Sequence, residues 1–218
     1  MAFGTEKAGI RAMRYLWCDV ETTGIDAANF SAFQIAFILV DNGRDYGERC
    51  FEFNPLSDKI LYDEDAGKIH GYTREQIESF PPESEIAPNI IRFLNDAANL
   101  FRADGSRHEK MVFAGYNSNE FDWNHVKAVL ERNGARMEDF FCGKADVFRQ
   151  VKSAGMARKM PYLPNRKLGT VCAHFRIKMD KAHNALSDIR ATREVAKSLH
   201  KLGVPLVVEE QQKQGENE

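Results

Sequence analysis

Five residues could do chemistry together. In the stretch WCDVETTG (17–24), Asp19 and Glu21 stand two positions apart at the end of an apolar run. On a strand that spacing sends both side chains to the same face, while Val20 packs on the other. Two carboxylates on one face repel unless a cation lies between them. Gly24 lets the chain turn and brings backbone N–H groups close to a ligand. Asp122 follows the apolar run MVFAGY (111–116) and stands behind Asn117 and Phe121, near the start of a helical pattern. Asp188 falls in the first turns of the last helical pattern, five residues after His183; a loop position for His183 lets both aim at one place. Each residue alone has a structural reading. An Asp at a helix start caps it or complements its dipole, and a lone His before a helix is a polar loop residue. The combination says more. Four carboxylates without basic neighbours suit hard divalent cations. Two such ions ~3.5–4 Å apart clamp the attacking and leaving oxygens of a phosphodiester, and a histidine with an ordinary pKa near ~6.5 suits deprotonation of a water.

The elements that must hold these residues alternate in type. Residues 14–20 (RYLWCDV), 30–41 (FSAFQIAFILVD) and 46–54 (YGERCFEFN) read as strands, the last two joined by an Asp-Asn-Gly turn at 41–43. Three early strands in succession predict an antiparallel meander. Helical spacing follows at 73–80, opening on Thr73 as N-cap, and at 83–101, where Pro88 interrupts the first turns. Residues 102–110 read as a loop, 111–116 as a short buried strand and 119–134 as an amphipathic helix ending at Gly134. FFCGKADV then reads as a strand or extended segment, with helices near 146–154, 167–175 and 184–202. Strands first, then strands mixed with helices, predict an α/β mixed sheet covered by helices.

The chain has 218 residues, 43% of them hydrophobic, enough for one domain with a sizeable core. We divide it into a flexible leader (1–12), a folded domain (13–203) and a flexible tail (204–218). The net charge of −2 neither excludes nor requires a nucleic-acid partner. Its distribution is uneven: residues 144–181 carry ten Lys or Arg against Asp146 and Asp180. That segment is either a set of solvated helix faces or a basic rim for phosphates. Tyr162, Arg158, Lys159, Arg166 and Lys167 either form the approach of a single strand or make a mobile polar loop. Cys18, Cys50, Cys142 and Cys172 have no zinc-ligand spacing and read as reduced core residues. With no secretory h-region and no apolar run near ~18 residues, the expectation is a soluble cytoplasmic protein with no membrane partner.

Four short motifs carry a family resemblance. DVETTG (19–24), YNSNEFD (116–122) and HNALSD (183–188) resemble the three motifs of the DnaQ-like 3′→5′ exonucleases, the DEDD superfamily. The third has the His-x-x-x-x-Asp form of the DEDDh branch. IHGYT (69–73) resembles the His-Gly segment found between the first two. Their order and separations are the family's, over roughly 15–202. The second motif departs from the common His-Asn-x-x-Phe-Asp form: Tyr116 replaces its His, and one extra residue separates Asn117 from Phe121. This spacing is similar to bacterial exonuclease I, whereas the first motif and the His-Gly segment are closer to the polymerase proofreading subunit.

The resemblance implies a ribonuclease-H-like fold, a five-stranded mixed sheet with three antiparallel strands first. It implies that Asp19, Glu21, Asp122 and Asp188 hold two Mg²⁺ or Mn²⁺ ions. Asp19 would bridge them, Glu21 and Asp188 would complete the nucleophile's ion, and Asp122 would act on the second. His183 would be the general base. Thr22, Thr23 and Gly24 would contact the terminal nucleotide, with His70, Gly71 and Phe121 along its base and sugar and Asn117 in support. The expected activity is removal of nucleoside 5′-monophosphates from the 3′ end of single-stranded nucleic acid. We expect DNA, with RNA trimming or oligoribonuclease action as the alternative. A module that binds nucleic acid without catalysis is a reading of another class, and the presence of all five residues argues against it. A homodimer is compatible with the resemblance, and no polymerase partner is indicated.

Overall fold

The structure, a computed structural model, describes residues 13–99, 110–180 and 183–210. The leader at 1–12, the end of the helical pattern at 100–101, the loop at 102–109, residues 181–182 and the tail beyond 210 lie outside the described residues. Three strands open the chain: β1 (Arg14–Thr22), β2 (Ala32–Asp41) and β3 (Arg44–Glu52). β1 pairs antiparallel with β2, and β2 with β3. The turn between β2 and β3 places Asn42 at φ 51° and Gly43 at φ 75°. Two successive left-handed residues match the right-handed twist of a hairpin, which is why Asn-Gly serves there.

Three helices follow: α1 (Glu64–His70), α2 (Arg74–Glu78) and α3 (Glu83–Ala98). Thr73 caps α2 as the sequence predicts, in a capping box with Gln76. α3 runs on through Pro88. β4 (Met111–Gly115) returns parallel to β1. It leads into α4 (Phe121–Arg132), α5 (Met137–Phe140) and β5 (Phe141–Asp146), which lies parallel to β4. Then come α6 (Val147–Met156), α7 (Leu168–Phe175), α8 (Ala185–Lys201) and β6 (Val208–Glu210).

The sheet order is β3-β2-β1-β4-β5-β6. The three-strand antiparallel start and mixed sheet are as expected, but the described residues form six strands rather than five. β6 pairs antiparallel with β5 inside the segment read as a flexible tail. The reason is apolar alternation: Val204 is buried, and Leu206 and Val208 pack on the core at every second residue. Residues 204–210 therefore belong to the folded domain.

Helices cover both faces, so β1 and β2 read as nearly continuous apolar runs. On one face Leu16, Cys18 and Val20 of β1 pack with α3, α4 and α5. On the other, Trp17 packs with α6, α7 and α8. Strand alternation then puts Asp19 and Glu21 on the α8 face, at the carboxyl end of the central strand. No helix among the described residues is long and apolar enough to cross a membrane. The cysteines are free, but only Cys18 and Cys172 are buried. Cys50, expected in the core, is exposed because β3 is an edge strand with one uncovered face.

Candidate active site

Asp19 and Glu21 of β1 meet Asp188 of α8, and each offers an oxygen within 4.8 Å of the others'. Asp188 is the fourth residue of its helix, and α8 packs across β1, so the first turn of the helix arrives over the end of the strand. Asp122 comes from the opposite face. It is the second residue of α4, is buried, and its Oδ1 accepts the Val20 N–H at 3.0 Å. One of its oxygens is thus already fastened to the strand that carries the other two acids.

The electrostatics describe a site starved of positive charge. Burial raises the Asp19 carboxyl well above the usual range, and Asp122, Glu21 and Asp188 raise it further. Burial first, then Asp188 and Asp122, pushes Glu21 up to about 8. Asp122 is pushed up to about 7 by burial, against the hydrogen bonds from the backbone of Val20 and of its own residue. Asp188 is also raised by burial, offset by the His183 backbone and the His183 charge. Among the described residues, no Lys or Arg figures in the groups that perturb these four acids. The buried Asp188 Oδ1 has no hydrogen-bond partner. A set of hard oxygen donors, mutually repelling and one of them without a partner among the described residues, suits a hard divalent cation.

His183 is exposed at the rim of this group. Its backbone is left-handed, φ 58°, and its N–H donates to Asp188 Oδ2 at 3.2 Å. A non-glycine residue held at positive φ is held there by its surroundings.

The residues expected to contact the nucleotide divide into two groups. Thr22, Thr23 and Gly24 build the loop after β1. The Thr22 hydroxyl donates to the Gly24 carbonyl at 2.8 Å, and the Thr23 hydroxyl accepts the Ser31 N–H at 3.1 Å. The Thr23 carbonyl accepts from Asp63 N at 2.7 Å. Both hydroxyls are therefore engaged within the chain and shape the lip of the site. Gly24 has no positive φ; a Cβ there would stand 2.3 Å from the Phe30 ring, so close packing requires the glycine. His70 and Gly71 close α1, a helix the sequence reading missed. Asp63 caps its start, and Gly71 ends it at φ 79°. His70 is buried, its Nδ1 accepts Tyr72 N–H at 3.1 Å, and burial lowers its pKa, as does His183.

Asn117 and Phe121, the residue before Asp122, line a cleft of about 500 Å³ with Ile25 of the lip and with Phe148, Arg149 and Lys152 of α6; none of the four acids lines it. The Lys152 ammonium lies 4.4 Å from the Phe148 ring centre. Asn117 is left-handed at φ 57°, and its N–H donates to Asp146 Oδ1 at 2.8 Å. Asp146 also caps α6 through Phe148 N. Sequence reading counted Asp146 only as an acid in a basic segment; an Asp directly before a helix was the available sign of its role.

The basic segment is partly committed elsewhere. Lys144 donates to the Asn119 carbonyl and lies over Trp123. Arg149 pairs with Glu209, and Lys159 donates to the Gly203 carbonyl. Arg158, Tyr162 and Arg166 line a smaller pocket of about 220 Å³ with Val151 and Gly155 of α6.

With this geometry in place, similarity to known proteins can be set beside it. The family model described as Exonuclease (RNase_T) matches residues 16–196. The PolC-type DNA polymerase III of Caldanaerobacter subterraneus subsp. tengcongensis is 24% identical over 185 residues, 84% of this chain and 11% of that protein. The zinc-bound complex of E. coli exonuclease I with single-stranded DNA superimposes with a TM-score of 0.70 at 23% identity, over 87% of this chain and 41% of that one. Cell-death related nuclease 4 superimposes with a TM-score of 0.68 at 17% identity, over 89% of this chain and 66% of that one. The chain thus spans about a tenth of the polymerase and two fifths of exonuclease I. At these identities the structural likeness speaks for the fold.

Proposed function

Because this chain belongs to the Exonuclease family, we propose that it is a metal-dependent 3′→5′ exonuclease that shortens single-stranded DNA and releases nucleoside 5′-monophosphates. The observation that carries the reading is the convergence of Asp19, Glu21 and Asp188 within 4.8 Å across a strand end and a helix start. The exonuclease I neighbours include complexes with single-stranded DNA and oligonucleotides, which supports DNA as the strand.

Asp19, Glu21 and Asp188 would hold one Mg²⁺ or Mn²⁺, with Asp122 and Asp19 serving a second. When bound, the ions lower the pKa of the attacking water and neutralise charge on the scissile phosphate and leaving oxygen. His183 takes the proton from that water. Asp188 serves as a ligand and, through Oδ2, holds the backbone of that base. Asp122, tied to Val20 N, fixes the α4 face against β1. Phe121, the first residue of α4, and Ile25, exposed on the lip, present apolar surface at the mouth of the cleft. A strand leaving the acids through this cleft passes Phe148 and Lys152, where stacking and charge tolerate any base.

The test is a 5′-labelled strand offered as single-stranded DNA, duplex DNA and RNA, with Mg²⁺ and with Mn²⁺. A ladder shortened from the 3′ end, strongest on single-stranded DNA, is the expected result. Stronger degradation of RNA would replace DNA as the substrate, and no ladder with either ion on any strand would overturn the reading.

A further inference from the structure

Beside the acids lies a residue that the reading above leaves without a role. Gln34, on β2, is fully buried and sits directly opposite Glu21 in the antiparallel pairing, so both side chains lie on the α8 face. Its Oε1 accepts the Ala185 N–H at 2.9 Å and stands 3.5 Å from Asn184 Nδ2. Its Nε2 donates to Glu52 Oε1 on β3 at 2.8 Å and lies 3.4 Å from the Tyr72 hydroxyl. The Ala185 N–H can only donate and the Glu52 carboxylate accepts, so the amide has one orientation. Glutamate at this position would lose the donor and set a further negative charge between Glu21 and Glu52.

The residues that Gln34 holds are the first of α8. Asn184 caps the helix by accepting from Ser187 N at 3.2 Å, and Ala185 is its first residue. The first N–H groups of a helix have no partner inside it, and here β2 supplies one. On either side stand the proposed base and its anchor: His183 directly precedes the pair, and Asp188 lies three residues after Ala185, in the first turn. The left-handed backbone of His183 needs enforcement from both sides. Asp188 grips its N–H from below, and the chain that follows is fixed to the sheet by Gln34.

We propose that Gln34 is a positioning residue for His183. It registers the start of α8 against β1 and β2, so that the backbone of the base is held in one geometry beside the acids. The inference rests on the exonuclease reading. It adds a requirement on β2, outside all four motifs.

A kinetic double-mutant cycle tests it, with kcat and KM measured on 5′-labelled single-stranded DNA for the wild type, Gln34→Met, His183→Ala and the double variant. Gln34→Met is expected to lower kcat by about tenfold to a hundredfold, the effect of misplacing a catalytic group by a fraction of an ångström to an ångström. KM should stay within about twofold, since no contact with the strand is lost. Gln34→Glu should recover part of the loss, because its oxygen still accepts from Ala185. In the His183→Ala background the same Gln34→Met change should cost less than about threefold, because the group it positions is gone. The same loss in both backgrounds, or wild-type kcat in folded Gln34→Met, overturns the inference. Far-UV circular dichroism reports folding. If Gln34→Met does not fold, the cycle run with Gln34→Glu is judged by the same non-additivity. A wild type inactive on DNA and RNA overturns the exonuclease reading itself. An active wild type with additive variants overturns only the role of Gln34.

Discussion

The two faces of β1 use the same residue type differently. On the α8 face Asp19, Glu21 and Asp188 converge and repel, and Asp188 Oδ1 is orphaned. On the α4 face Asp122 is buried, more so than Asp19 or Asp188, yet one of its oxygens accepts the Val20 N–H. The first group is relieved by a cation or by protonation; the second is partly structural. The contrast teaches that membership of a four-acid motif does not make four equivalent ligands. Substitutions on the two faces should therefore separate.

The largest effect should come from the convergent face. Asp19→Asn removes one charge from the point where all the other acids act on it, and should lower kcat by about a thousandfold or more, the rate equivalent of several kcal/mol of metal stabilisation. The variant should keep its fold and, without metal, should melt no lower than the wild type, because a repelling carboxylate is gone. Retained activity would mean that the convergence is not the metal centre. His183→Ala should follow, with a loss of about 10²–10⁴-fold in kcat; a loss that saturating Mn²⁺ does not repair distinguishes this from lost metal binding.

Asp122 sharpens the comparison. Asp122→Asn retains an oxygen for the Val20 N–H and should lose activity with little loss of stability. Asp122→Ala should lose activity and also about 1–3 kcal/mol, since the Val20 N–H is left buried without a partner. Chemical denaturation of the two variants, compared with Asp19→Asn, reads the structural share of this acid. Equal stability of Asn and Ala variants would deny Asp122 its second role.

Much of this site was legible before the structure. The two-residue spacing of Asp19 and Glu21 fixed their common face, and the caps at Thr73 and the Asn-Gly turn marked element ends that the structure retains. What the sequence hid falls into two kinds. Some signals were present but short: Asp63 and Gly71 bracket α1, and Val204, Leu206 and Val208 alternate into β6. Others depend on long-range contact. Nothing local distinguishes Gln34 inside an apolar strand, because its partners lie at Glu52, Tyr72 and Ala185. Nor does composition tell which cations of 144–181 are free: Lys144 is spent on Asn119 and Trp123, while Lys152 lines the cleft.

The convergent face also sets a pH dependence of stability. The ordinary value for Glu21 is 4.5, and the folded protein pushes it up to about 8; Asp19 and Asp188 are raised in the same direction. An acid raised in the folded state favours folding while it is protonated. That contribution is complete below pH about 4.5 and is lost as pH rises to about 8. The metal-free protein should therefore melt several degrees lower at pH 8 than at pH 5.5 in EDTA. Mg²⁺ should raise the melting temperature far more at pH 8, where its ligands are deprotonated. Thermal scans with and without Mg²⁺ check this, and the dependence should be reduced in Asp19→Asn.

The smallest effect belongs to the cleft. Lys152 lies beside Phe148 and lines the path away from the acids, whereas Arg149 on the same helix pairs with Glu209. Neither touches the reacting phosphate in the proposed mechanism, so kcat should hold. Lys152→Ala should raise KM for a single strand by a few fold and lessen the salt dependence of KM by roughly one phosphate's worth of released counterion. Arg149→Ala should change KM less, because its charge is already matched by Glu209. Glu209→Gln should do the opposite and lower KM, by releasing the Arg149 guanidinium to the strand. If Lys152→Ala leaves KM and its salt slope unchanged, the strand leaves the acids by another route. The pocket of Arg158, Tyr162 and Arg166, beside Val151 and Gly155 of α6, is then the surface to substitute next.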